Sequence, residues 1–167
     1  MDAILIRRAE ALAVKIAEPP ADAFDALVFT IGQEQYALPN EHVVEVRPAN
    51  SITALGGAPA FVAGLTNTRG KIVPVLDLRP LFGIPPAAAG PRAVVLMVSP
   101  RGSVGLLVNG QPAVRQLRST ELGPLPAGSP KGLDAAFVRG VTPELIVVLD
   151  GPRLLADPRI VVKDGQP

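Results

Sequence analysis

The chain has 167 residues, enough for one domain or two small packed subdomains, and 48% of them are hydrophobic. Its formal net charge of +1, with no run of like charge, argues against a nucleic-acid footprint, and no apolar stretch approaches a bilayer span. It lacks cysteine, so disulfides and thiolate chemistry are excluded, and with no Trp, one Tyr and five Phe the core is expected to be aliphatic, dominated by Val, Leu and Ile.

Residues 1–18 carry a helical pattern. Ile4, Leu5, Leu12 and Ile16 share a stripe with Ala9 and Ala13, while Arg7, Arg8, Glu10 and Lys15 lie mostly off it. Charges inside the apolar stretch distinguish it from a secretory signal, so a cytoplasmic protein is expected. Pro19-Pro20 stops the helix, and 19–25 read as a linker.

From Ala26 the pattern becomes β. Ala26–Ile31 and Tyr36–Leu38 predict a hairpin through Gly32-Gln33-Glu34-Gln35. Asn40–Val44 reads as one helical turn with Asn40 as its cap. Phe61–Thr66 and Lys71–Leu78 are the next strands. Their near-continuous apolar runs indicate coverage on both faces, and Pro74 requires an edge, a bulge or a strand start. Ile84–Pro91 is a loop. Ala93–Val98 and Ser103–Val108 form a second hairpin, Ala113–Leu117 a separate weaker strand, and Ser119–Asp134 a long surface loop. Phe137–Val141 and Leu145–Leu149 complete a last hairpin, followed by a helical turn at Asp150–Ala156 and a tail over 157–167. About ten short strands with turn signals between them point to an all-β sandwich or small barrels. No βαβ alternation is visible, so a nucleotide-binding parallel sheet is not expected.

Catalytic chemistry is sparse. The one histidine, His42, has no obvious partner ligands, and no P-loop, dinucleotide fingerprint or nucleophile elbow occurs. Asp77 and Asp150 each end an apolar strand, where an aspartate commonly caps the next turn or helix. Arg69, between Asn67 and Gly70, is the strongest candidate for function. It either grips a partner's carboxylate or carbonyls, or pairs internally with Asp77 or Glu45.

These residues resemble the CheW-type chemotaxis coupling proteins. Val28–Leu38 is similar to the family's opening hairpin, and His42–Val46 (HVVEV) to its V-x-E-V segment. Thr66–Arg79 (TNTRGKIVPVLDLR) is similar to the signature N-L-R-G-x-I-V-P-V-x-D-L-R. Val104–Val108 and Ile146–Asp150 resemble two later blocks, and the likeness covers residues 26–156. Departures include Thr68 for the usual Leu or Ile, Asn40 for an apolar residue, Asn109 for Asp, and Gln111-Pro112, which predicts a spoiled strand.

The resemblance implies two SH3-like five-stranded β-barrels packed on a hydrophobic junction, preceded here by the amphipathic N-terminal helix. It implies no catalysis and no cofactor. The expected partners are the regulatory domain of a CheA-type histidine kinase and the cytoplasmic helical tip of a chemoreceptor, with self-association in arrays. No contact with nucleic acid and no insertion into the membrane are expected. The family's partner-binding positions fall on Val43, Glu45, Gly64, Arg69 and Gly70. A kinase regulator with a weakened receptor interface is the alternative.

Overall fold

The computed structural model describes residues 19–86 and 90–160. The N-terminal helix expected over 1–18 and most of the tail lie outside them.

Among the described residues, nine strands form one continuous hydrogen-bonded sheet that curls into two barrels. They are β1 (Ala23–Ile31), β2 (Glu34–Pro39), β3 (Val43–Pro48), β4 (Val62–Thr68), β5 (Lys71–Asp77), β6 (Arg92–Ser99), β7 (Gly102–Arg118), β8 (Val138–Val141) and β9 (Val147–Leu149). Helices α1 (Leu78–Phe82) and α2 (Gly151–Leu155) are single short segments.

The first barrel contains β3, β6, the opening half of β7, β5 and β4. Thr53 closes it by pairing with Leu65, each N–H donating to the other's carbonyl at 2.8 Å. The second contains the closing half of β7, then β1, β2, β9 and β8, and is closed by the Gly123–Val141 pair.

Strand β7 is the main difference from expectation. Ser103–Val108 and Ala113–Leu117 are not two strands broken at Gln111-Pro112 but one 17-residue strand. Gly110 takes a φ of +73 and the β1–β7 register shifts between Val28 and Thr30. This irregularity bends the strand from one barrel into the other without ending it, as bulges do. Asn109 helps to seat the bend, because its Oδ1 accepts from Gly32 N at 3.2 Å.

Other boundaries moved for similar reasons. Strand β1 starts at Ala23, inside the expected linker, because Ala23, Phe24 and Asp25 pair with Arg118, Leu117 and Gln116. Asn40 is not a cap. It opens a 3₁₀ turn, Asn40–His42, whose cap position is Pro39, and no side chain caps it. Pro74 is tolerated because the parallel pairing of β5 with β7 begins only at Val75.

The double coverage of the strands has a simple origin. Side chains alternate across a strand, so one face of each lines a barrel and the other faces the junction. In β6, Val94 and Leu96 fill the first barrel with Val73, Val75 and Leu107, while Val95 and Met97 enter the junction. In β1, Ala26 and Val28 fill the second barrel, while Leu27, Phe29 and Ile31 face the junction. The junction holds the largest of the three apolar clusters. Tyr36, Phe82 and Phe137 stack through it, with ring centroids 6.0 and 5.6 Å apart.

Candidate partner-binding site

The β4–β5 hairpin turns through only two residues, Arg69 and Gly70. Their φ values are +52 and +80, positive at both central positions, as in the mirror-image turns that match strand twist. Gly70 adopts this conformation freely. Arg69 does so against the left-handed penalty of an L-residue. Asn67 holds the turn, its Oδ1 accepting from Gly70 N at 3.1 Å.

Arg69 Nη2 lies 2.9 Å from Glu45 Oε2 on β3, yet its side chain is 80% exposed. Of the two internal partners left open by the sequence, the fold selects Glu45. Asp77 is engaged by Arg79, whose Nη2 and Nε lie 2.7 and 3.0 Å from its carboxylate oxygens. Glu45 also has Arg47 Nε at 3.6 Å. The Arg69–Glu45 pair therefore ties the hairpin tip to β3 while leaving most of the guanidinium open. An exposed pair of this kind stabilises a fold by about 0.2–1 kcal/mol, so its loss costs the isolated protein little.

Glu45, Arg69 and Gly70 are thus brought together. Val43 is not equivalent. It is half-buried and packs against the junction cluster, whereas its neighbour Val44 is 55% exposed. Val44, Glu45, Thr68, Arg69 and Val73 line a cleft of about 170 Å³. Strand alternation puts 43 and 44 on opposite faces, but which of the two is buried is set by how β3 packs. Gly64 serves a different end of β4. Its φ is +151, and a Cβ there would fall on the carbonyl of Thr53, so glycine is what lets the chain close the first barrel.

The remaining chemical candidates are occupied structurally. Asp77 Oδ1 accepts from Arg79 N at 3.0 Å and caps α1; Asp150 Oδ1 accepts from Arg153 N at 3.1 Å and caps α2. His42 Nδ1 accepts from Gly151 N at 3.3 Å. Burial, reinforced by Arg139, pushes the His42 imidazole below its usual pKa, so the neutral acceptor form is favoured. Among the described residues no helix is long and apolar enough to cross a membrane.

A larger groove of about 1130 Å³ opens beside the site, between the β4–β5 and β6–β7 hairpins and α2. Phe61, Ile72, Pro74, Val104 and Leu155 line it, and Lys71 and Arg101 stand on its rim. Nothing in the sequence alone indicated this groove, because the fold assembles it from distant segments.

The comparisons with known proteins agree with this architecture. The crystal structure of the scaffolding protein TtCheW from Thermoanaerobacter tengcongensis is similar, with a TM-score of 0.72 and 26% identity over 90% of this chain and 94% of that one. The chemotaxis protein CheW of Klebsiella aerogenes is 28% identical over 83% of this chain and 86% of its own length. A probable chemotaxis protein CheW of Rhizobium etli is 30% identical over 70% and 76%. The family model described as the CheW-like domain matches residues 25–159, and with two barrels, a shared junction and the hairpin motif in place, this chain belongs to the CheW-like domain family.

Proposed function

We propose that this protein is a non-enzymatic adaptor that couples the cytoplasmic tips of chemoreceptors to a CheA-type histidine kinase in a chemosensory array. The observation that carries the reading is the preformed Arg69–Glu45 pair, held on a two-residue turn and left open to solvent. A guanidinium fixed in this way presents directional donors with little ordering entropy left to lose on binding. Val44 and the cleft beside it add an apolar contact within the same patch. On this reading Glu45, Arg69 and Gly70 form the contact surface, Val43 supports β3 from behind, and Gly64 maintains the barrel that carries the hairpin. The adaptor works in the cytoplasm and meets the membrane only through its receptor. Membership of a scaffold-bearing family and the structural engagement of Asp77, Asp150 and His42 support a role without turnover.

The test is calorimetric titration of wild type and Arg69→Ala with the regulatory domain of the cognate kinase and, separately, with a receptor-tip fragment. The expected result is binding of both partners by wild type. The substitution should weaken at least one of them by about 2 kcal/mol, as for a central interface arginine. Binding of the kinase domain alone would replace the adaptor with a kinase regulator. Binding of neither would leave the fold without this function.

A further inference from the structure

The near-neutral net charge conceals a division between the two barrels. Residues 43–110 contain six basic side chains, Arg47, Arg69, Lys71, Arg79, Arg92 and Arg101, and only two acidic ones, Glu45 and Asp77. The other described residues carry the reverse excess, nine acidic against six basic. Both carboxylates of the first barrel are already paired, Glu45 with Arg69 and Asp77 with Arg79. Among the described residues, Lys71 and Arg101 make no ion pair.

Those two cations stand together on the rim of the large groove. Lys71 comes directly after the Arg69-Gly70 turn, and Arg101 is the tip of the β6–β7 hairpin. The Arg101 backbone is pinned by Ser99, whose Oγ accepts from Arg101 N at 3.2 Å and donates to Gly102 O at 2.9 Å. Between them the groove wall is mainly apolar, with Ser99 and Ser103 among its lining, and Ile72 is 63% exposed within it. A concave apolar surface with unpaired cations on its rim calls for an occupant of complementary pattern.

We infer that this groove receives an apolar segment of a partner protein flanked by carboxylates, with Lys71 and Arg101 pairing to those carboxylates. The inference rests on the adaptor reading and extends it to a second contact surface and to the charge of the segment that fits there. The groove fits a protein segment better than a lipid surface, because a bilayer is flat and meets convex patches. The partly buried Asp22 and Asp150 of the acid-rich second barrel are already engaged by Arg118 and by Arg139 and Arg153.

The test uses the full chain, the kinase regulatory domain and the receptor-tip fragment, titrated at about 50 and about 300 mM salt. The variants are the double reversal Lys71→Glu/Arg101→Glu, Ile72→Gln and Arg69→Ala, each checked for fold by circular dichroism. At least one partner should bind wild type more weakly at high salt. The double reversal should lower that affinity by about tenfold or more and flatten its salt dependence. Ile72→Gln should weaken the same partner without altering the salt dependence. If wild type binds its partners and the folded double reversal matches it in affinity and salt dependence, the inference is overturned while the adaptor reading stands. If wild type binds neither partner, the adaptor reading fails and the inference fails with it. A salt-sensitive self-association lost in the double reversal, with partner binding unchanged, would overturn the inference by assigning the groove to a second copy.

Discussion

At the residue scale, Arg69 and Gly64 separate contact from construction. Arg69 is exposed, and among the described residues its single close partner is a partly exposed glutamate, so Arg69→Ala should cost the isolated protein no more than about 1 kcal/mol. Gly64→Ala should cost upward of about 3 kcal/mol, because the new methyl collides with Thr53 at a backbone angle already disfavoured for L-residues. Urea denaturation of the two variants checks both values. A mild Gly64→Ala would show that the segment around Thr53 gives way. His42 adds a pH dependence. Its folded pKa is depressed below 6.5, so the unfolded chain takes up the proton first as pH falls. The contribution of neutral His42 is therefore complete above about pH 6.5, is lost as pH drops toward the folded value, and then levels off. Denaturation midpoints measured from mildly alkaline to mildly acidic pH should show this slope, and His42→Asn should remove it.

At the scale of elements, caps and bends decide where segments start and stop. Helices as short as α1 and α2 have little intrinsic stability and depend on their first turn being satisfied. Asp150 supplies an acceptor at that position, and Pro152 supplies the fixed φ favoured near a helix start. Asp150→Ala should destabilise the protein by about 1 kcal/mol, and Asp150→Asn, which keeps an acceptor, should recover most of that on thermal denaturation. The capping roles of Asp77 and Asp150 were legible because an aspartate ends an apolar run in both places. The continuity of β7 was not. Gln111-Pro112 is a local break signal, and it was overruled by pairing with β1, a partner more than eighty residues earlier in the chain.

At the scale of the whole molecule, the junction binds the barrels into one unit. Phe82, at the end of a helix that continues from the first barrel's β5, stacks on Phe137 beside the second barrel's β8 and approaches Tyr36 on β2. All three are fully buried, as are Leu106 and Leu149. Arg159 closes this region from outside, donating to the carbonyls of Leu81 and Gly132 and lying 6.0 Å above the Phe137 ring. Phe82→Ala should lose about 3–5 kcal/mol, the usual range for a buried aromatic. Because β7 threads both barrels and the junction is common to them, the loss should appear as one cooperative transition by fluorescence and circular dichroism alike. Two separated transitions would mean that the barrels fold independently.

The sequence by itself determined the all-β class, the aspartate caps and the arginine at a tight turn. Each of these is written in neighbouring residues through alternation, turn chemistry or motif spacing. Only the tertiary structure decided that Arg69 pairs with Glu45 rather than Asp77, that Val44 rather than Val43 is the open apolar side chain, and that Lys71 and Arg101 flank one groove. Those outcomes depend on which distant strands pair, and in what register, and a one-residue change of register would have turned every one of these side chains to the other face.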